Sequence, residues 1–265
     1  MSVARENTGI LTPEQVLVGV QGRILTIRLN RPEKKNALTF EMYTGLTEAL
    51  TKADGDPAVR VVLITGAPDC FTAGNDLADF AAAKPGQVSP AIGYLETLAA
   101  ASKPVVAAVA GVAIGIGTTM LLHCDLVYAA ASARFQLPFV NLGLCPEAAS
   151  SAVLPALVGP HRAAELLLLG EPFGAEAARD LGIVNQVVTD ADLLATARTK
   201  AEQLAEKPPQ ALRTTKMLLK WGQAEVIKQA MSREGEQFAA LLEGPEAKEG
   251  LAAFLERRKP DFSRF

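Results

Sequence analysis

A run of apolar β-forming residues, Pro104-Val105-Val106-Ala107-Ala108-Val109-Ala110-Gly111, leads to a glycine-rich bend and a predicted helix start at Ile114-Gly115-Ile116-Gly117-Thr118-Thr119. An earlier segment has the same form, because Val59-Arg60-Val61-Val62-Leu63-Ile64-Thr65-Gly66 leads to Phe71-Thr72-Ala73-Gly74-Asn75-Asp76-Leu77. The first backbone N–H groups of a helix have no intrahelical acceptor and attract negative charge. Two such ends that converge on one point would form an oxyanion hole, whereas either bend alone is an ordinary strand-to-helix turn.

Neither bend matches a nucleotide-binding fingerprint. Gly115-Ile116-Gly117 lacks the third glycine of G-x-G-x-x-G at its spacing, and the chain contains no G-x-x-x-x-G-K-[ST] motif. The bends therefore do not predict binding of a dinucleotide or of ATP.

The composition excludes several classes of protein. The 265 residues are 49% apolar with a formal net charge of −3, which predicts a globular protein without the basic excess of proteins that bind nucleic acid or anionic lipid. Three widely spaced cysteines are typical of reduced thiols in an intracellular protein, and with only two histidines we expect no metal site. The sequence shows no secretion signal and no apolar run near the ~18 residues of a membrane span, which predicts a cytoplasmic protein.

Strands and helices are predicted to alternate along the first part of the chain. Residues 16–29 have the pattern of a hairpin, and Thr39 is the predicted N-cap of a helix that extends to Asp54. Residues 126–129 form a short predicted strand, and helices are predicted over 162–169 and 192–205. Such alternation indicates parallel crossover units and an α/β core.

The chain is predicted to divide at Pro208-Pro209, into a core of residues 1–207 and a helical region of residues 208–265. The helical region carries more apolar surface than one short helical layer needs, which favours a role in assembly. Its apolar residues at roughly helical spacing are Trp221, Met231, Phe238, Leu241, Leu242 and Phe254. Within the core, the Ala/Pro/Gly-rich residues 78–90 are predicted to be a mobile connection.

Five segments carry a family resemblance, in the same order and spacing: Asn30-Arg31-Pro32-Glu33-Lys34-Lys35-Asn36-Ala37-Leu38, Phe71 to Leu77, Gly111 to Thr119, Cys124-Asp125 and Phe254-Leu255-Glu256-Arg257-Arg258-Lys259. From about residue 16 to the C-terminus the chain resembles the enoyl-CoA hydratase/isomerase (crotonase) superfamily. The resemblance implies an α/β fold built as a spiral of β-β-α turns, a helical trimerisation region and acyl-CoA thioester substrates. Coenzyme A would then be part of the substrate, so no separate cofactor is expected.

The resemblance also implies the site residues. The oxyanion donors would be the backbone N–H groups of Asn75 and Ile116, provided that φ of Ile116 is negative. Lys34 and Lys35 would meet the phosphates of coenzyme A or stay solvated. Asp76 is placed among the residues that bind the substrate, and it is expected to cap a helix there rather than to act as an acid. The other positions expected to bind the substrate are Ala37, Ala73, Gly74, Leu77, Gly115, Thr119, Pro138, Phe139, Asn141 and Leu142.

The chain departs from the hydratases of this superfamily at two positions. Relatives that add water have one glutamate two residues after the second bend and another just after a proline in the next segment. This chain has Thr119 and Phe139 there, and neither side chain can act as a general base at neutral pH. The paired acid and base for hydration are therefore missing.

One carboxylate, Glu147, remains nearby. In one interpretation it is an ordinary first-turn glutamate at position N2 of a helix whose N1 residue is Pro146. In the other, the pattern P-F-x-x-L-G-x-x-P-E-x-x-S-S from Pro138 resembles the peroxisomal-type Δ3,Δ2-enoyl-CoA isomerases, whose single catalytic glutamate stands at this position. Burial among apolar neighbours would raise its pKa toward neutrality, as a proton shuttle needs. Asn141 would orient Glu147 or a water molecule, or serve only as a turn residue.

These observations predict an enoyl-CoA isomerase that forms a homotrimer or a dimer of trimers. The alternatives are another acyl-CoA reaction at the same oxyanion hole, such as weak hydration or thioester hydrolysis, and an acyl-CoA binding module without catalysis. His123 is expected to be a packed histidine, because no serine or cysteine motif accompanies it. The sequence does not predict the acyl chain, since the segment 78–98 expected to wall its tail cannot be built from pattern alone.

Overall fold

A computed structural model of the protein describes residues 13–82 and 89–265. The strands are β1 (Val16–Gln21), β2 (Ile24–Leu29), β3 (Val61–Thr65), β4 (Val105–Val109), β5 (Val112–Ile114), β6 (Leu126–Ala130), β7 (Arg134–Gln136), β8 (Phe173–Gly174) and β9 (Gln186–Val188). The helices are α1 (Phe40–Gly55), α2 (Leu77–Ala82), α3 (Pro90–Ala100), α4 (Ile116–Thr119), α5 (Ser150–Val158), α6 (Pro160–Ala164), α7 (Ala175–Asp180), α8 (Leu193–Ala205), α9 (Pro209–Trp221), α10 (Ala224–Leu242) and α11 (Pro245–Leu255).

The main sheet has six strands in the order β1-β2-β3-β4-β6-β9. Only β1 and β2 pair antiparallel, as the predicted hairpin, and the strands from β2 onward pair parallel. All five residues of β4 are buried. Parallel strands covered on both faces need continuous apolar runs, which explains the Pro104–Gly111 sequence.

A second sheet, in the order β5-β7-β8, receives the chain after β4 and after β6. β4 is followed by β5 and α4, and β6 is followed by β7 and then α5. After β3 the chain makes the same crossing, since Thr72 forms a parallel bridge with Ala113 of β5. The repeated order of a main strand, a short strand and a helix confirms the predicted spiral.

Helices cover both faces of the main sheet. On one face, α1 and α3 pack over the larger core, and Thr39 caps α1 by accepting a hydrogen bond from the amide of Met42 at 3.2 Å. On the other face, four small or apolar residues of α8 pack against β2, β3, β4 and β6: Leu193, Ala197, Ala201 and Ala205. Within residues 13–82 and 89–265, no helix is both long enough and apolar enough to cross a membrane.

The structure corrects the prediction of one mobile connection over residues 78–90. α2 extends to Ala82, and Pro90 is already the first residue of α3, with Ser89 as its N-cap. Residues 83–88 lie outside the described part of the chain. Residues 78–82 of the predicted connection are thus helical, and so are residues 90–98 of the segment 78–98.

The C-terminal helices contact the core. α10 packs against α5, and Nζ of Lys216 on α9 forms an ion pair with Asp125 at 2.7 Å. α11 packs against the 3₁₀ turn Val140–Leu142, where a Cβ atom at Gly250 would lie 2.6 Å from the carbonyl oxygen of Leu142. The division of the chain at residue 208 stays a prediction.

Candidate active site

The two glycine-rich bends lie side by side. The amide of Thr72 donates to the carbonyl of Val112 at 2.9 Å, and the amide of Ile114 donates to the carbonyl of Thr72 at 3.1 Å. α4 approaches the first bend so closely that a Cβ atom at Gly117 would lie 2.6 Å from the Thr72 methyl group. A Cβ atom at Gly74, where φ is +93°, would lie 2.7 Å from the carbonyl oxygen of Ile114. The structure therefore brings the two bends together.

Each bend contributes one unpaired backbone donor. Within residues 13–82 and 89–265, the amides of Asn75 and Ile116 donate to no hydrogen-bond acceptor. Ile116 is the first residue of α4, where an amide has no intrahelical acceptor, and its φ is not positive. Two free N–H groups on adjacent bends are the donors that an oxyanion requires.

A tyrosine on α1 holds the side chain of Asn75. The hydroxyl of Tyr43 donates to Oδ1 of Asn75 at 2.5 Å, and the buried ring packs against Tyr94 with 5.8 Å between centroids. Burial, and then the negative charge of Glu147, raise the pKa of Tyr43 well above its usual value, so the hydroxyl remains a proton donor. The role of Tyr43 was not predicted from the sequence, because a tyrosine at this position fits the apolar face of an amphipathic helix.

The polar loop 30–38 is tied to the first bend by a buried asparagine. The side-chain amide of Asn36 donates to the carbonyls of Cys70 and Phe71 at 2.9 and 3.0 Å. In return, the hydroxyl of Thr72 donates to the carbonyl of Asn36 at 2.6 Å. These bonds fix the loop beside the first bend, and this role of Asn36 was not predicted from the sequence.

The loop presents two cations next to the first bend. Lys34 and Lys35 are exposed, and the carbonyl of Lys35 accepts a hydrogen bond from the amide of Ala73 at 2.9 Å. Ala37, Ala73 and Leu77 are partly buried at the same place. The arrangement suits a ligand that carries phosphates at one end and a carbonyl group at the other.

Asp76 is engaged within the protein. Its Oδ2 accepts a hydrogen bond from Arg31 at 2.5 Å, and its Oδ1 accepts one from the amide of Ala78 at 2.9 Å. Burial works against the charged form, but these bonds outweigh it and hold the pKa of Asp76 below its usual value. Asp76 thus caps α2, as the sequence predicts.

Glu147 lies in an irregular segment between the 3₁₀ turn Val140–Leu142 and α5. The interpretation of Glu147 as residue N2 of a helix is wrong, because α5 begins only at Ser150. Ala148 and Ala149 have φ of +60° and +56°, which is a left-handed conformation, so neither residue belongs to the right-handed helix that follows. The carbonyl of Glu147 accepts hydrogen bonds from the amide of Ser150 at 3.0 Å and from its hydroxyl at 2.6 Å.

The carboxyl group of Glu147 is withdrawn from water. The residue as a whole is half-buried, but its Oε1 is buried and has no hydrogen-bond partner within the described residues. Burial, and then the negative charge of Glu234, raise the pKa of Glu147 to about 8. A buried carboxyl oxygen without a protein partner is a candidate for direct contact with a substrate.

His123 links this segment to the helix that begins with Ile116. α4 continues into the 3₁₀ turn Met120–His123, and Nε2 of His123 lies 2.8 Å from the carbonyl oxygen of Ala148. Burial lowers the pKa of His123 to about 4, so the ring is neutral and donates its N–H to that carbonyl. His123 is a packed histidine, as predicted, and it ties the residue after Glu147 to the turn that follows α4.

The two positions that carry acids in hydratases are buried. Thr119 is fully buried on α4, and its hydroxyl has no hydrogen-bond partner within the described residues. Phe139 is 5% exposed and belongs to the larger core. Neither position supplies a second carboxylate near Glu147.

The remaining predicted residues lie along the segment between the second bend and Glu147. The amide of Gly115 donates to the carbonyl of Gln136 at 2.9 Å, which places the second bend against the segment that continues through Pro138. Leu142 packs partly against the core, whereas Asn141 is exposed and its side-chain amide donates to the carbonyl of Leu169 at 3.4 Å. Asn141 is therefore a turn residue and does not orient Glu147.

Among residues 13–82 and 89–265, no three histidine, cysteine or acidic side chains lie close enough together to hold a metal ion.

Comparison with known proteins identifies the family. The family model for enoyl-CoA hydratase/isomerase matches residues 19–264. A crystal structure of an enoyl-CoA hydratase/isomerase from Pseudoalteromonas atlantica superimposes with a TM-score of 0.90 and 42% identity, covering 94% of this chain and 100% of that one.

Curated relatives carry the names of two different reactions. A crotonyl-CoA hydratase of Syntrophomonas wolfei is 34% identical over 94% of this chain and 98% of its own length. Enoyl-CoA delta isomerase 2 of Rattus norvegicus is also 34% identical, over 96% of this chain and 65% of its own length. Overall similarity thus does not choose between hydration and isomerisation.

Proposed function

The chain belongs to the enoyl-CoA hydratase/isomerase family, a family of enzymes that act on acyl-CoA thioesters, and from that premise we propose that it is a Δ3,Δ2-enoyl-CoA isomerase. The observation that carries the proposal is Glu147, whose Oε1 is buried without a protein partner within the described residues. Its charge acts on Tyr43, the residue whose hydroxyl bonds the side chain of Asn75. Thr119 and Phe139 occupy the positions of the hydratase acids, so Glu147 would act alone.

The reaction follows from these three groups. The thioester carbonyl oxygen accepts hydrogen bonds from the amides of Asn75 and Ile116. Glu147 removes a proton from C2, and the electron pair of the broken C–H bond forms a dienolate whose charge rests on that oxygen. The same carboxyl group returns the proton to C4, which moves the double bond from position 3,4 to position 2,3. No water molecule takes part.

The acidity of Glu147 supports this role. A group that takes a proton and then gives it back works best when its pKa lies near the working pH. The pKa of about 8 leaves Glu147 able to do both. Below that pH the carboxyl group is mostly protonated, so the rate of proton removal should rise with pH until the carboxylate predominates.

The first test compares the two reactions on one preparation. The purified protein should convert a 3-enoyl-CoA to the trans-2-enoyl-CoA with a kcat/KM at least about 10²-fold above that for hydration of crotonyl-CoA, because hydration lacks its second acid. Both products can be separated by chromatography, which also detects free coenzyme A. Hydration as fast as isomerisation, or release of free coenzyme A as the main reaction, would contradict the proposal.

We also propose that the protein assembles as a homotrimer or a dimer of trimers. Exposed apolar side chains concentrate on the C-terminal helices: Met217, Leu218, Leu219, Trp221, Phe254 and Leu255. Four more residues of the predicted set are only partly exposed, because they pack partly against the core of their own chain: Met231, Phe238, Leu241 and Leu242. The cytoplasmic location stays a prediction.

Assembly can be measured directly by light scattering. The intact protein should have the mass of three or six subunits, since exposed apolar patches of this kind normally mark an interface. Leu219, whose side chain is 79% exposed, is the natural position to disturb, and Leu219→Asp should lower the mass. A monodisperse monomer of the unchanged protein would contradict the assembly.

A further inference from the structure

A second buried glutamate reaches the active-site segment from the C-terminal region. Glu234 lies in the middle of α10 and is 7% exposed. Its Oε2 accepts a hydrogen bond from the amide of Ala149 at 2.6 Å. Its Oε1 accepts one from the amide of Ser151 at 2.9 Å and one from the hydroxyl of Ser151 at 2.5 Å. All these partners donate, which is the arrangement that an ionised carboxylate accepts.

These bonds replace a local helix cap. Ala149 stands at the N-cap of α5, and an alanine has no side chain that could satisfy the first amides of the helix. Glu234 supplies that acceptor from a helix 85 residues further along the chain, and its negative charge lies at the positive end of the α5 dipole. The bond from the amide of Ala149 to Glu234 also stabilises the left-handed conformation of Ala149, because a residue stays in this conformation only where the surrounding structure holds it there.

The residues that Glu234 binds, Ala149 and Ser151, follow Glu147 closely in the chain. Ala149 and Ser151 are two and four residues beyond Glu147. Cys145, two residues before Glu147, also lies near α10, since the Cys145 thiol is 3.8 Å from the carbonyl oxygen of Glu234. On the other side, His123 donates to the carbonyl of Ala148. The position of Glu147 is therefore set from α10 and from the turn that follows α4.

Glu234 also acts on Glu147 through its charge. After burial, the charge of Glu234 is the second cause of the raised pKa of Glu147. Burial raises the pKa of Glu234 itself, and the hydrogen bonds from Ser151 and Ala149 oppose that rise. The pKa of His123 is lowered to about 4, and burial raises the pKa values of Tyr43 and Cys145. Lys220 of α9, whose pKa is lowered by burial, donates to the backbone carbonyl of His123 at 3.0 Å.

We propose that Glu234 is a positioning residue, which holds the segment that carries Glu147 through the amides of Ala149 and Ser151 and places a negative charge beside that segment. The proposal rests on the proposed function, in which Glu147 is the base. It makes the C-terminal region part of the active site within one subunit, independently of assembly.

Two substitutions separate the effect of the hydrogen bonds of Glu234 to Ala149 and Ser151 from the effect of its charge. Glu234→Gln removes the charge and sets a donor group against the amide of Ala149. Glu234→Asp keeps the charge, but its shorter side chain cannot reach Ala149 and Ser151 together. Glu236→Gln on the same helix is the matched control, because Glu236 is exposed. Each variant is assayed for isomerisation, with kcat, KM and the pH dependence of kcat/KM.

The variants should differ in a defined way. In the unchanged protein and in Glu236→Gln, kcat/KM should rise with pH to a midpoint near 8. Glu234→Gln should shift this midpoint downward, on the order of one pH unit, because a like charge has been removed. Glu234→Asp should leave the midpoint in place. Both variants should lower kcat about tenfold or more with little change in KM. A displaced base slows proton transfer in the bound complex but does not weaken the contacts that bind the substrate.

The outcomes are decisive even if one variant is unstable. An unchanged midpoint in folded Glu234→Gln, or an unchanged kcat in Glu234→Asp, would overturn the proposal, and the second result decides alone if Glu234→Gln does not fold. Failure of the proposed function is distinguished by Glu147→Gln. If Glu147→Gln stays active, the base is wrong. If Glu147→Gln is inactive while the Glu234 variants behave as the unchanged protein, only the positioning role fails.

Discussion

Glu147→Gln is expected to abolish isomerisation of 3-enoyl-CoA. Glutamine keeps the size and shape of the side chain but cannot take a proton from C2. A general base typically contributes about 10²–10⁴-fold to the rate, and a sole base should lie at or above the top of that range. Acyl-CoA binding should stay within a few-fold, because binding rests on the loop 30–38 and on the backbone amides of Asn75 and Ile116. Steady-state kinetics and direct titration with an acyl-CoA measure the two effects.

The same variant should be more stable than the unchanged protein at alkaline pH. The folded-state pKa of Glu147 is raised from 4.5 to about 8, so folding favours the protonated form. The stability that this form contributes is present below about pH 4.5 and is lost as pH rises through about 8. Glutamine stays neutral, and its free energy of unfolding above that pH should be higher by the order of a few kcal/mol. Denaturant titration at two pH values measures this.

This pairing of lost activity with gained stability excludes a trivial explanation. A variant that had lost activity through misfolding would unfold more easily, not less. Glu236→Gln, at an exposed position, should change neither quantity. Near-normal turnover in folded Glu147→Gln would rule out Glu147 as the base and would favour an acyl-CoA binding module.

Local sequence patterns predicted the framework of the site. The two runs of β-formers that end in glycine-rich bends predicted the strands and the helix starts, because backbone conformation there depends on adjacent residues. The cap at Thr39 and the hairpin over residues 16–29 are likewise local, and both were predicted. Glu147 was singled out by its pattern, since it is the carboxylate left when Thr119 and Phe139 replace the acids.

The prediction failed where distant residues decide the local conformation. Pro146 followed by an acid looks like a helix start, yet α5 begins at Ser150. The delay depends on His123 and Glu234, which hold the carbonyl of Ala148 and the amide of Ala149 from far along the chain. No pattern within a few residues of Glu147 contains this information. Tyr43 was missed for a related reason, because a tyrosine on the buried face of a helix looks like core until its hydroxyl is seen to meet Asn75.

Gly117→Ala is expected to lower kcat for isomerisation by about 10²-fold or more, although it changes no polar group. The new Cβ atom would lie 2.6 Å from the methyl group of Thr72 and 3.1 Å from its carbonyl oxygen. Thr72 cannot turn aside, because its hydroxyl donates to the carbonyl of Asn36 at 2.6 Å and accepts from the amide of Gly74 at 3.1 Å. The two bends must therefore move apart.

Such a separation should act on the transition state more than on binding. The amides of Asn75 and Ile116 would no longer converge on one oxygen atom, and loss of one oxyanion donor typically costs about 2.7–4 kcal/mol in the barrier. Steady-state kinetics should show a large fall in kcat and a smaller change in KM. Gly55→Ala is the matched control, since its Cβ atom would meet nothing within 4 Å, and activity there should be unchanged.

A second substitution tests the cause of the effect. Thr72→Ser removes the methyl group that Gly117→Ala would strike but keeps the hydroxyl bonded to Asn36. Combined with Gly117→Ala it should restore part of the lost kcat, because the nearest remaining contact would be the carbonyl oxygen of residue 72 at 3.1 Å. Full activity of Gly117→Ala alone would show that the spacing of the two bends does not control the reaction. The oxyanion donors would then have to be sought elsewhere than at Asn75 and Ile116.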